Sequence, residues 1–274
     1  MMENNPLKQY FRRPAIHIRL PSKFNYTPDI IEFPPTGELP VYPMTANDEI
    51  TSRTPDALFN GSAVVSIIKS CVPSIKNPWK IINSDIETIL IAIKIATTGD
   101  EMDVDTSCPS CSETMRFGVN LSQLLSGISV GDYNKELMLG DLSVKFNEVT
   151  YQQNNANNTE QFEIQRGLAQ LDSFENGEAK NKAASELLAK MNELSQKILG
   201  KSIQYIKTPE TTVTDQNFIL DFLQNCDKKM YDKIRDKSIE LRDSSSSKPL
   251  QFKCINCKHE YKQTVAFNVT DFFD

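Results

Sequence analysis

Two CxxC pairs, Cys108-Pro-Ser-Cys111 and Cys254-Ile-Asn-Cys257, constrain this chain more than any other feature. Two thiolates on one tight turn can hold a metal ion from the same side. A second pair completes a tetrahedron, which Zn²⁺ accepts without any d-electron preference. A thioredoxin-type redox site needs only one pair, placed where a helix starts after a strand. Here there are two pairs, each set before a run that reads as a strand, with no helix directly following. The expectation is a structural Zn²⁺ site with Cys108, Cys111, Cys254 and Cys257 as its ligands. Redox, disulfide and iron–sulfur use of the same cysteines are the alternatives. Long separation is no obstacle, because the two ends of one domain can meet at a metal.

The residues after each pair echo one another: Phe117, Val119 and Leu121 follow the first, and Tyr261, Val265 and Phe267 the second. That is the logic of a zinc ribbon, two knuckle-bearing hairpins clamped by one ion, here with a long insert between the halves. In so small a β module the metal stands in for a core, with apparent binding energies on the order of 10 kcal/mol. The expected fold class is α+β: a small zinc-ribbon-like β module, split by a mostly helical insert, with an extended proline-rich N-terminal arm.

The expected organisation has four parts. Residues 1–55 hold nine of the fourteen prolines, leaving room only for short strands such as Ile16 to Leu20 and Ile30 to Phe33. Such an arm must lie along the rest of the protein, lie along a partner, or stay mobile. Thr45 is an N-cap candidate for a short helical turn. Residues 56–150 carry a helix with Leu58, Val64, Val65, Ile68 and Cys71 on one face, stopped by Pro73. A second helix there, capped by Ser84 or Asp85 and closed by Gly99, buries Ile86, Ile89, Leu90, Ile93 and Ile95. An acidic turn, Asp100 to Asp105, then leads to the first knuckle and hairpin. Leu137 to Phe146 reads as two short strands about a Gly140-Asp141 turn.

Residues 151–243 form the helical insert. Gln152 to Thr159 reads as a polar loop, followed by a helix from about 160 to 174. Residues 179–200 form the clearest helix, with Ala184, Leu187, Leu188, Met191, Leu194 and Ile198 in register. A strand at Ile203 to Lys207 follows. Asp215 then caps one helix whose apolar line runs from Ile219 through Phe222, Leu223, Cys226 and Met230 to Ile234. Residues 244–274 hold a flexible serine link, the second knuckle and the closing strands, Thr264 to Val269 among them.

Composition narrows the function. A net charge of −6 argues against broad binding to nucleic acid or to anionic membranes. The polar start has no apolar leader, and no segment reaches the roughly 20 apolar residues of a membrane span. A soluble, intracellular protein with reduced thiols is expected. Four cysteine ligands leave a zinc ion no open position for catalysis. The two histidines, His17 and His259, lie in no nucleophile setting, although His259 is near enough to the second knuckle to be an alternative ligand. Phosphate-cradling glycine loops are absent, so no enzyme and no small-molecule substrate is expected. The basic set Lys253, Lys258, His259 and Lys262 beside the second knuckle, brought against the acidic set beside the first, is expected to be neutralised by it.

Several stretches resemble one family. Leu20-Pro-Ser-Lys-Phe24, the block Leu39-Pro-Val-Tyr-Pro-Met-Thr45, Asn60-Gly61, the helix Ser84 to Ala96, Gly99, Cys108-Pro-x-Cys111, Asn120-Leu-Ser122, the late CxxC and the closing Asp271-Phe-Phe273 are similar to baseplate hub proteins of T-even-like contractile-tailed bacteriophages. The chain departs from that pattern at Lys94 and at Thr97-Thr98, where an arginine and an aromatic are expected. The resemblance implies a non-enzymatic structural component or assembly factor of the tail baseplate hub, with other hub or tail proteins as partners. It places the chain in the host cytoplasm during assembly and then in the virion tail baseplate. Leu20, Pro21, Phe24, Tyr42 and Pro43 of the arm, with Phe272 and Phe273 at the end, are the candidate partner-binding residues. A transient assembly chaperone absent from the mature virion and a zinc-ribbon nucleic-acid-binding protein are the other readings.

Overall fold

The computed structural model describes residues 6–22, 25–54, 60–171, 177–245 and 248–263. It is an α+β protein that divides into two compact units, residues 1–129 with 246–274 and residues 130–245.

The first unit opens with a 3-10 turn at Pro6–Tyr10 and a two-stranded antiparallel pair, β1 (Ile16–Ile18) and β2 (Leu39–Val41). Ile18, Leu39 and Val41 are buried while His17 faces outward opposite Pro40. Prolines do preclude long helices here, yet the intervals between them are long enough for apolar pieces that pair and bury themselves. The described part of the first 55 residues therefore lies along its own unit, with Tyr26 and Ile31 also buried and Ile31 bridged to Ile75.

Helix α1 (Ala46–Ser52) starts at Thr45 with a reciprocal capping box to Asp48. Helix α2 (Ser62–Cys71) buries Ala63, Val64, Val65, Ile67, Ile68 and Cys71; the expected start near residue 56, with Leu58, lies outside the described residues. Helix α3 (Asn83–Thr98) is the centre of the unit. Isoleucines and leucine at 86, 89, 90, 91 and 93 leave it apolar nearly all round, as a helix enclosed by its neighbours must be. Neither Ser84 nor Asp85 caps it. Its N-cap is Ile82, without a side-chain bond, and both expected caps are buried in the first turn. Asp85 instead accepts from Ser22 N–H and Oγ (3.2 and 2.6 Å) and from the Tyr26 hydroxyl (2.7 Å), tying the early segment to this helix.

The expected acidic turn after Gly99 is a strand, β3 (Glu101–Ser107), paired over its whole length with β4 (Thr114–Asn120). Alternation decides this: Met102, Val104 and Thr106 point inward between acidic residues that point out. Helix α4 (Leu121–Gly127), capped by Asn120, packs Leu121 and Leu124 against Ile91 of α3.

In the second unit a four-stranded antiparallel sheet runs in the order β5 (Leu137–Leu139), β6 (Leu142–Phe146), β7 (Ile203–Lys207), β8 (Thr212–Val213). Gly140, at φ +63°, makes the turn between β5 and β6. The polar stretch 152–159 is not a loop. It forms the first turns of α5 (Tyr151–Gln170), which Thr150 and Gln153 start with a capping box. Glutamine suits a helix and asparagine disfavours it only weakly, and a satisfied N-terminus outweighs that. Helix α6 (Glu178–Lys201) buries Leu194 and Leu199 but leaves Leu188 exposed. The single helix expected after Asp215 is two, α7 (Gln216–Asn225) and α8 (Lys228–Ser244), because Cys226 turns extended and Asp227 caps a new start through Met230 N–H. Val144, Phe146, Ile203, Ile206, Ile219, Leu223, Ile234 and Leu241 form this unit's core.

The chain then returns to the first unit with a last hairpin, β9 (Leu250–Lys253) and β10 (Glu260–Gln263). The strand expected at Thr264 to Val269 lies outside the described residues, as do Val265 and Phe267.

Candidate metal centre

Both CxxC pairs sit at the tips of antiparallel hairpins, the first between β3 and β4 and the second between β9 and β10. The last paired rungs are Ser107–Thr114 and Lys253–Glu260, so each knuckle begins one residue beyond its ladder. The two turns are built alike. Cys108 N–H donates to Glu113 C=O (2.9 Å) and Ser112 N–H to Cys108 C=O (2.8 Å). In the second, Cys254 N–H donates to His259 C=O (2.9 Å) and Lys258 N–H to Cys254 C=O (3.0 Å). The residue after each second cysteine takes a left-handed conformation, Ser112 at φ 57° and Lys258 at φ 61°. Neither is glycine, and only the fold reveals that the two turns share this kink.

The hairpins meet through their inner faces. Met115, Phe252 and Tyr261 are buried together with Cys108 and Cys254, and Val104, Phe117 and Leu250 pack around them. The Phe117 and Phe252 rings lie 5.1 Å apart, and Ile255 N–H reaches Met115 Sδ at 3.2 Å. Leu250 also packs against the cluster of Ile91, Leu121 and Leu124, so the second hairpin is fastened to α3 and α4 as well.

This packing brings the four cysteine sulfurs within 4.8 Å of one another. Across the hairpins Cys108 and Cys257 are 3.6 Å apart, as are Cys111 and Cys254. Tetrahedral zinc–sulfur bonds of about 2.3 Å place sulfurs about 3.8 Å apart, so the donor set suits that ion in number, chemistry and spacing. Cys108 and Cys254 are buried, whereas Cys111 and Cys257 face solvent. The N–H of Cys257 leads the effects that lower the Cys254 thiol to about 7. Cys111 goes the other way, to about 12: Glu113 N–H favours its thiolate, but desolvation and sulfur contacts to Cys257, Cys254 and Cys108 outweigh it. Four sulfurs in one spot compete for negative charge, a conflict that a divalent cation would remove. His259 is outside the sulfur cluster; its ring stacks on Tyr261 with centroids 6.3 Å apart.

Among the described residues no ion pair joins the charged sets beside the two knuckles. Because inner faces meet, Glu101, Asp103 and Asp105 project from one side and Lys253 and Lys262 from the other, all exposed. The ion pairs found in this region join residues of the same hairpin, Arg116 with Asp105 (2.9 Å) and Lys253 with Glu260 (2.9 Å).

A family model described as T4 bacteriophage base plate protein matches residues 30–274, taking in all four cysteines and both units. The chain belongs to that family. As a base plate protein its partners are other tail proteins, and among its described residues no helix is long and apolar enough to cross a membrane. No curated protein and no solved structure matches it.

Of the other expected site residues, Leu20, Pro21, Tyr42 and Pro43 are half-buried, while Phe24, Phe272 and Phe273 lie outside the described residues. Tyr42 and Pro43 make contacts within their own chain. The Arg12 guanidinium lies over the Tyr42 ring (5.9 Å) and donates to Pro43 C=O (2.6 Å), to Asp48 (3.3 Å) and to Ser70 Oγ and C=O (both 2.8 Å). This Arg12–Asp48–Ser70 junction, which locks the N-terminal segment to α1 and α2, has no signature in the sequence. At Thr97, one of the departures from the expected pattern, the hydroxyl accepts from Met44 N–H (3.0 Å) and so holds the segment after β2 against the end of α3.

Proposed function

We propose that this base plate protein is a non-enzymatic structural component or assembly factor of the tail baseplate hub, stapled by one Zn²⁺ on Cys108, Cys111, Cys254 and Cys257. The observation that carries the reading is the convergence of those four sulfurs from both ends of one folded unit. The ion closes a zinc-ribbon-like module around the long insert, and it has no open position from which to activate water. Its contribution is to hold β9–β10 on β3–β4, where the small apolar cluster alone is too little to do so. The protein then acts in the host cytoplasm during assembly and in the virion tail baseplate, and Leu20 and Pro21 remain surfaces for a neighbouring hub subunit.

Metal analysis of the purified full chain tests the metal reading, with one zinc per chain as the expected result. Cys254→Ser and Cys257→Ser should lose it, and with it the resistance of the Leu250–Gln263 hairpin to proteolysis. Full-length protein free of metal, yet with an unchanged hairpin, would refute the staple. Omitting the chain from reconstitution of the hub, and looking for it in purified virions, tests the assembly role and separates a resident component from a chaperone.

A further inference from the structure

We infer that the two-hairpin module is a head-to-tail docking surface for a second copy of this chain, with the outer face of β3–β4 meeting the outer face of β9–β10. The inference goes beyond the staple and asks nothing of the metal's identity.

The outer face of β3–β4 presents Glu101, Asp103 and Asp105, with Glu113 at the knuckle, against a single Arg116. Asp103 lies across from Gly118, which has no side chain, and Arg116 of the same strand is hydrogen-bonded to Asp105 and acts on Asp103 through charge alone. On the outer face of β9–β10 stand Lys253 and Lys262, with Lys258 and His259 at the knuckle, against a single Glu260. Each apolar face is turned inward on the other, as Phe117, Phe252, Tyr261 and Met115 show. The two outer faces consequently look in opposite directions and carry opposite charge.

A lone acidic face would suit any basic partner. This chain carries its own complement, on a hairpin of the same construction, with matching rungs at Ser107–Thr114 and Lys253–Glu260. Opposite potentials steer association and disfavour the same-face encounters that juxtapose like charges. A contact that uses one face of each copy leaves one free face at either end, which is the heterologous arrangement that extends into rings or open filaments.

The test is the mass of the full-length, metal-loaded chain by light scattering over a concentration series in low and high salt. Mass should rise with concentration in low salt, and the midpoint should move at least about tenfold higher in 0.5 M salt, where exposed charges are screened. Glu101→Lys with Asp103→Lys makes one variant, and Lys253→Glu with Lys262→Glu the other. All four side chains are exposed, and far-UV circular dichroism with thermal melting checks that each variant folds. Each alone should stay monomeric, because both of its faces then carry the same sign, and an equimolar mixture should restore association, since the faces of one variant are opposite in charge to those of the other. A monomer at every concentration and salt overturns the inference. So does association that survives the reversals or fails to return on mixing, since the surface would then be another one.

Discussion

Thr106 and Tyr261, 155 residues apart in sequence, share a buried hydrogen bond of 2.7 Å between their hydroxyls. It joins the inner faces of the two knuckle hairpins beside the sulfur cluster. A buried hydroxyl left without its partner costs about 1–3 kcal/mol, whereas removing both partners costs less.

Tyr261→Phe is therefore expected to lower stability by roughly 1–2 kcal/mol in the metal-loaded protein. Thr106→Val added to it should cost clearly less than the sum of the single changes. Chemical denaturation of the two single variants and the double variant, read as a double-mutant cycle, gives the coupling. Additive losses would mean that the hydroxyls do not act together.

The junction at Arg12 should be sensitive as well. Burial acts to raise the Asp48 carboxyl, but bonds from Thr45 and Ser70 and the Arg12 guanidinium together hold it below the usual range. Arg12→Ala leaves that carboxylate without its cation and frees the segment before β1. A loss of about 2–3 kcal/mol is expected, with faster proteolysis ahead of Ile16. Because the folded-state value is depressed, the stabilising effect of Asp48 is present above pH about 4 and fades as pH falls through the folded value.

Asp85 behaves in the opposite sense. Complete burial pushes its carboxyl up, more than Ser22 and Tyr26 pull it down. A raised folded value means that the group favours the fold most below the unfolded value near about 4, and that this contribution is lost as pH rises through the folded value. Measured against Asp85→Asn, the wild-type chain should lose relative stability as pH rises from about 4 through the folded-state value. Denaturation midpoints for both proteins across that range decide it, and parallel curves would show that Asp85 does not titrate with folding.

Gly131 carries a packing prediction. Its N–H donates to Ser245 Oγ (2.8 Å), and a methyl group added there would lie 2.7 Å from Leu241 C=O and 2.7 Å from Ser244 Oγ. The end of α8 cannot give way cheaply, because one of those atoms is backbone. Gly131→Ala should cost about 1–3 kcal/mol, read as a lower denaturation midpoint.

Local chemistry made some of this protein legible. The capping threonine at 45, the helix-closing glycine at 99, the turn at Gly140 and the apolar spacing of α2, α3 and α6 were readable because each depends on neighbours within a few residues. Where the sequence reading failed, a local capping box had outweighed composition or a longer-range contact had won. The polar stretch 152–159 is helical because Thr150 and Gln153 satisfy its first turn, and the acidic run 101–105 is a strand because β4 lies beside it. Asp85, read as a cap, was recruited by Ser22 and Tyr26 from more than 50 residues away.

The amino-acid sequence by itself determined that four thiols in two like turns are available, since CxxC spacing is a local property of the chain. Only the tertiary structure decided that the sulfurs converge, that the hairpins meet by their apolar faces and that their opposite charges point apart. The physical reason is that a strand has two faces. Burying one of them through contacts nearly 150 residues distant fixes where the other looks, and no local pattern encodes that choice.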